Sequence, residues 1–134
     1  ALQDSGFLQL PGTTCAHAVW LTEEEAELLA ASGASIAHNP LSNLRLGSGV
    51  CPLGLYAKAG VNVCLGCDGA ASSDGQDMLE VLKITTMLPR VATADYREWP
   101  DARRAALDLA SKNGYRALNM AGRAGEIKVG QEAD

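Results

Sequence analysis

Aromatic side chains make up only 4% of this 134-residue chain, so a core has to be assembled from aliphatic residues, chiefly Ala, Leu and Val. A basic run is also missing: 11 Lys and Arg are scattered among 16 Asp and Glu, for a net charge of −5. Phosphate backbones are bound by clustered Lys and Arg, so the charge balance argues against nucleic acid as a partner. No apolar stretch approaches the roughly 20 residues that cross a bilayer, and no membrane partner is expected. The opening Ala1-Leu2-Gln3-Asp4 has neither the basic nor the apolar region of a secretory signal. With 4 Cys the chain is too poor in cysteine for a disulfide scaffold; a cytoplasmic protein with reduced thiols is expected. An initiator Met is absent and the sequence stops at Glu132-Ala133-Asp134, which leads us to expect a piece of a longer chain.

What is present alternates. Thr13 to Trp20 is short and β-branched and reads as a buried strand running out into a loop. Thr22-Glu23-Glu24-Glu25 fits a capping box, with Thr22 as N-cap and Glu25 reaching back to it; this helix ends at Ser32-Gly33. Ala34 to His38 is a second strand, closed by Asn39-Pro40 and followed by a loop from Leu41 to Gly49. A short helix over Pro52 to Ala59 leads to a third strand, Val61 to Leu65, and then a small-residue loop from Gly66 to Gly75. A longer helix over about Gln76 to Leu88 is broken by Pro89. Another begins after Pro100 and runs to about Lys112, where Asn113-Gly114 interrupts it; Gly125 to Gly130 reads as a turn and a short extended piece. Strands alternating with helices predict an α/β fold with a parallel sheet.

In each unit a residue capable of chemistry follows the strand: His17, His38 and Asp68. That end of the strands carries the active site in parallel α/β folds, (β/α)₈ barrels above all. Imidazole and carboxylate are the usual ligands of a catalytic zinc or iron with a position open to water; the blander reading is a histidine that hydrogen-bonds a loop. Cys64 and Cys67 have C-x-x-C spacing, but residues three apart in a strand point to opposite faces, and no second pair completes a structural site. Cys64 reads as core, and Cys67 stays open because it adjoins Asp68. Cys15 and His17 share a strand face, which leaves a small Cys/His metal module as an alternative. The zinc nucleobase deaminase pattern His-x-Glu with Pro-Cys-x-x-Cys is missing, and neither Gly47-Ser48-Gly49 nor Gly69-Ala70-Ala71-Ser72 matches a phosphate loop.

Three runs together carry a resemblance: Ala16-His17-Ala18-Val19-Trp20-Leu21-Thr22, Ala37 through Gly49 with its His38-Asn39-Pro40-Leu41-Ser42-Asn43 start, and Leu65-Gly66-Cys67-Asp68-Gly69-Ala70-Ala71-Ser72. Over about residues 13 to 134 the chain resembles the amidohydrolase superfamily, in the ATZ/TRZ branch of methylthioadenosine/S-adenosylhomocysteine, guanine and 8-oxoguanine deaminases and triazine hydrolases. The resemblance implies the last three βα units of a metal-dependent (β/α)₈ TIM barrel. Residues 1–12 would end a preceding helix or linker, 13–120 would carry strands 6 to 8, and 121–134 would begin the return to a small β-domain. His17 would orient and polarise a metal-bound hydroxide. Asp68 would ligate the metal and carry the proton from the attacking water to the leaving group. His38, Asn43 and Ser72 would face the substrate.

The resemblance further implies one divalent metal, Zn²⁺ or Fe²⁺, in the complete enzyme. The family's His-x-His after the first strand, its histidine after the fifth and the glutamate three residues beyond have no counterpart here. A full barrel needs roughly 250 residues, so an incomplete barrel that is inactive alone is expected. Cys67 stands where relatives often carry Thr. The expected activity is deamination of a nitrogen heterocycle of purine, pyrimidine or triazine type by a homo-oligomer. Dechlorination or dealkylamination of a triazine-like ring is the enzymatic alternative, and a self-associating, non-catalytic half-barrel the other.

Overall fold

A computed structural model describes residues 2–99 and 105–133. A 3₁₀ turn over Phe7–Gln9 leads into strand β1, Thr14–Ala16. Helix α1, Glu23–Ser32, follows a loop and begins with the predicted reciprocal cap: Glu25 N–H donates to Thr22 Oγ1 at 3.3 Å, and Thr22 N–H to Glu25 Oε2 at 2.9 Å. Gly33 closes it in the left-handed region at φ 77°, where a residue without Cβ is unstrained. Then come β2 (Ser35–His38), α2 (Pro40–Arg45), α3 (Leu53–Ala59), β3 (Asn62–Leu65) and the single turn α4 (Ala70–Ser73). The remaining helices are α5 (Met78–Met87), α6 (Pro89–Ala92), α7 (Ala105–Ala110) and α8 (Lys112–Ala117), with a 3₁₀ turn at Tyr96–Glu98 before α7.

The three strands form one parallel sheet in the order β1-β2-β3. Cys15 lies opposite Ile36, and Ile36 opposite Val63, so one row of apolar side chains crosses the sheet. All four residues of β3 are buried, as expected for a parallel strand covered on both faces. Ala26, Leu29, Ile36, Leu53, Val61 and Val63 build the core. The core is aliphatic except for Tyr56, whose ring is fully buried.

The structure departs from the sequence reading in four places. Residues 41–49 are not all loop: α2 occupies Pro40–Arg45, because proline at the first helical position loses only an N–H that would be unpaired anyway. β1 stops at Ala16, since His17 and Ala18 turn the chain at positive φ. The small-residue loop after β3 contains α4. The last helical break falls at Ser111, and Asn113 and Gly114 lie inside α8. Asn113 tolerates that position because its Nδ2 donates to Val63 O at 2.9 Å, while its own carbonyl accepts from Asn62 Nδ2 at 3.1 Å. These two bonds fasten α8 to β3. The expected start of that helix after Pro100 lies outside the described residues. The tail over 125–130 forms turns with Ile127 and Val129 fully exposed, and no strand among the described residues. No described helix is long and apolar enough to cross a membrane.

Two consequences for stability follow from buried polar groups. The Tyr56 hydroxyl donates to the Ala18 carbonyl, joining α3 to the turn after β1. Tyr56→Phe leaves that acceptor without its partner, and urea unfolding is expected to read a loss of about 1–3 kcal/mol. His38, only 2% exposed at the end of β2, has its pKa pushed from 6.5 down to about 4, first by burial and then by the neighbouring His17. Between those two values the unfolded chain binds the proton and the folded chain does not, so stability falls as pH drops from 6.5 towards 4. Denaturation midpoints across this window should register a loss of roughly 3 kcal/mol, and His38→Gln should flatten it.

Candidate active site

The candidate residues collect where the parallel strands end. His17 directly follows β1, and its backbone N–H extends the ladder by donating to Ala37 O at 2.9 Å. His38 is the last residue of β2, and its carbonyl accepts from Gly66 N–H at 3.0 Å. A Cβ at Gly66 would run into Asn39 Oδ1, so any larger residue where the chain leaves β3 requires the Asn39 side chain to move. Two residues further on stands Asp68 at φ 62°, and His17 and Ala18 have φ 64° and 46°. Left-handed non-glycine residues cost of order 1–3 kcal/mol each and gather at functional sites. Here they turn the side chains of His17 and Asp68 toward each other.

His17 Nε2 lies 3.8 Å from Asp68 Oδ2, with the two side chains 38% and 31% exposed. On its other edge the imidazole is held by Asn43, with Nδ1 2.8 Å from Oδ1. The Asp68 carboxylate is fixed on both oxygens: Gly69 N–H donates to Oδ1 at 2.8 Å and Ser72 Oγ to Oδ2 at 3.0 Å. Gln76 Nε2 donates to the Asp68 backbone carbonyl at 2.6 Å. The nearby Ser42 hydroxyl, then the Gly69 amide and Ser72, hold the Asp68 carboxyl below its usual range, with His17 adding a smaller pull. Asp68 is therefore a carboxylate at neutral pH.

All five residues singled out in the sequence thus meet around one rim: His17 on Asn43 and Asp68, Ser72 on Asp68, and His38 close enough to His17 to feel its charge. They differ in depth. His38 and Asn43 are 2% and 1% exposed, and His38 Nδ1 and Asn43 Nδ2 are buried without a partner. Two further participants went unnoticed in the sequence. Ser42 was in plain view inside the His38 run, whereas Gln76, eight residues beyond Asp68, carries no local signal.

Buried thiols do not join in. Desolvation raises the pKa of Cys15 and Cys64 and pushes Cys51 up to about 12, which makes them poor thiolates. The gap between His17 and Asp68 is too long for a hydrogen bond, and it leaves room for a cation on Asp68 with His17 beside it. A borderline imidazole and a hard carboxylate are also an appropriate donor pair for zinc or iron. Among the described residues no three His, Cys, Asp or Glu converge on a metal position, so the donors fit part of a catalytic shell. A cleft of about 630 Å³ lined by Cys51, Leu53, Leu55 and Pro89 contains none of the five candidate residues, which lie at the strand ends instead.

Comparisons with known proteins identify the family. The model of the amidohydrolase family matches residues 2–134. The 5-methylthioadenosine/S-adenosylhomocysteine deaminase of Thermococcus sibiricus is 45% identical over 133 residues, which is 99% of this chain and 30% of that protein. The 5'-deoxyadenosine deaminase of Methanosphaera stadtmanae is 40% identical over 98% of the chain and 30% of its own length. Among solved structures, the zinc complex of atrazine chlorohydrolase TrzN from Arthrobacter aurescens TC1 superposes with a TM-score of 0.90 at 31% identity, covering 99% of this chain and 29% of that one. An adenosine deaminase from Xanthomonas campestris with bound zinc gives 0.82 at 38% identity, over 90% of this chain and 27% of the other. The chain therefore spans about 30% of the length of the curated relatives it matches. A parallel sheet whose strand ends carry His17, His38 and Asp68, on the (β/α)₈ scaffold of these neighbours and matched along nearly its whole length, makes this chain a member of the amidohydrolase family.

Proposed function

We propose that this chain supplies the proton-handling part of a metal-dependent aminohydrolase, which replaces the amino group of a nitrogen heterocycle with oxygen and releases ammonia. The observation that carries the proposal is the pairing of His17 Nε2 with Asp68 Oδ2 across 3.8 Å at the open strand ends. Residues 13–120 correspond on this reading to strands 6 to 8 of the barrel with their helices, and 121–134 to the start of the return to a small β-domain. The remaining metal ligands come from polypeptide outside this chain.

Asp68 would hold the divalent cation, Zn²⁺ or Fe²⁺, with His17 beside it. When bound, the cation supplies Lewis acidity that brings the pKa of water near neutrality. The chain's own residues manage the proton. Asp68 takes one hydrogen from the attacking water and delivers it to the amino nitrogen. The C–O bond forms, the C–N bond breaks, and ammonia leaves while the hydroxyl stays on the ring carbon. His17 orients the water. Ser72 and Gly69 keep the Asp68 carboxylate in one rotamer, so no reorganisation is needed as charge develops. His38, buried with an unpartnered ring nitrogen, offers a polar contact on the substrate side, and Asn43 backs the His17 ring.

Curated relatives named as deaminases, at 40–45% identity, favour amino-group release over dechlorination, for which the named neighbour is 31% identical. Among their printed substrates, the deoxyadenosine and thioadenosine types favour a purine nucleoside. The free thiols at Cys15, Cys51, Cys64 and Cys67 support a cytoplasmic setting. Exposed apolar side chains such as Leu79 and Val91 support packing against the rest of the enzyme and a homo-oligomer.

In the complete enzyme, Asp68→Asn keeps the left-handed turn, since asparagine tolerates it. Ammonia release is expected to fall by about 10²–10⁴-fold with little change in thermal unfolding. Unimpaired ammonia release from a folded Asp68→Asn enzyme would remove the assignment.

A further inference from the structure

Asn43 is placed as a part of His17 more than as a surface contact. It lies on α2 with 1% of its surface exposed, and its Oδ1 meets His17 Nδ1 at 2.8 Å. An amide oxygen has no hydrogen to give, so the ring nitrogen in this contact carries the proton. A neutral imidazole protonated on Nδ1 has its lone pair on Nε2, the atom that faces Asp68 Oδ2.

The backbone of His17 is fixed by other means. Its N–H is bound to Ala37 O, and the next carbonyl, that of Ala18, is held by Tyr56. What these bonds leave undecided is the rotation of the ring and the position of its proton, and Asn43 decides both. Asn43 is itself rigidly mounted: its N–H donates to Asn39 O at 3.0 Å and its carbonyl accepts from Ser48 N–H at 2.8 Å. Packing does not account for an amide here. A leucine of similar size would fill the space without burying Nδ2, which has no partner, at a cost of about 1–3 kcal/mol. The side-chain bond the structure gives this amide is the one to His17.

We infer that Asn43 is a positioning residue that sets the tautomer of His17, keeping Nε2 unprotonated and aimed at the reacting centre. Its catalytic consequence rests on the function proposed above; the tautomer does not.

The chain has 2 His, so histidine-selective ¹⁵N labelling gives two imidazole patterns, and His38→Gln assigns them. At alkaline pH the His17 ring is expected to carry its proton on Nδ1, with Nε2 of the unprotonated type. Asn43→Asp, which keeps an acceptor oxygen, retains the Nδ1 proton, and Asn43→Leu loses that preference. A His17 protonated on Nε2 alone in the parent chain or in Asn43→Asp would overturn the inference, as would an Nδ1 proton undisturbed in Asn43→Leu. In the complete enzyme, Asn43→Leu should lower kcat roughly 10–100-fold while KM changes little, with Asn43→Asp recovering part of the rate. An enzyme that releases no ammonia, yet shows the Nδ1 proton, removes the proposed reaction and leaves the positioning role standing. An active enzyme whose kcat is unaltered in Asn43→Leu removes the positioning role and leaves the reaction.

Discussion

The turn at His17 and Ala18 is where the fold and the site depend on the same bonds. Two successive left-handed residues without a glycine are unfavourable in isolation, so the surrounding structure has to impose them. It does so through three contacts from distant segments: Ala37 O on the His17 amide, the Tyr56 hydroxyl on the Ala18 carbonyl, and Asn43 on the imidazole. Each comes from a different element, β2, α3 or α2. The turn is thus a readout of whether the whole βα arrangement has assembled. A stretch of loop obeying only its own preferences would not point His17 at Asp68.

Buried polarity is the second theme. The core is almost wholly aliphatic, and yet Ser42, Asn43 and His38 lie inside it with an atom unpartnered on each. All three come from β2 and the start of α2, directly beneath the His17–Asp68 rim. Orphaned polar atoms spread at random would only weaken a small domain. Of the three, the Ser42 hydroxyl biases the Asp68 carboxyl toward the charged state, and all three keep hydrogen-bonding capacity in reserve. His38 shows the corresponding cost in stability, because burial suppresses its protonated form.

The chain brings His17, His38 and Asp68 together at the ends of three parallel strands, while about 70% of the length of the curated relatives lies outside the matched region. The TM-score of 0.90 against the zinc complex of atrazine chlorohydrolase at 31% identity shows that this third of the scaffold keeps its shape through wide sequence change. The scaffold's parallel ladder fixes the strand ends, and the loops that follow them carry the chemistry.

Much of this was legible in the sequence because it is encoded within a few residues. The capping box at Thr22 and Glu25, the glycine stop at Gly33, and the short apolar strands around Cys15, Ile36 and Val63 all rest on contacts between near neighbours or on local propensity. The placing of His17, His38 and Asp68 after those strands was equally plain. Other features rest on contacts that no local rule contains. Asn113 sits inside α8, where its residue type predicts a break, because Val63, 50 positions away, accepts its side-chain hydrogen bond. Asn43 turns toward His17 across 26 positions and Tyr56 toward Ala18 across 38. The sequence by itself determined the order of elements, the parallel sheet and the residue types at the strand ends. Only the tertiary structure decided which nitrogen of His17 faces Asp68, because that choice is made by partners brought together through sheet register rather than by neighbours along the chain.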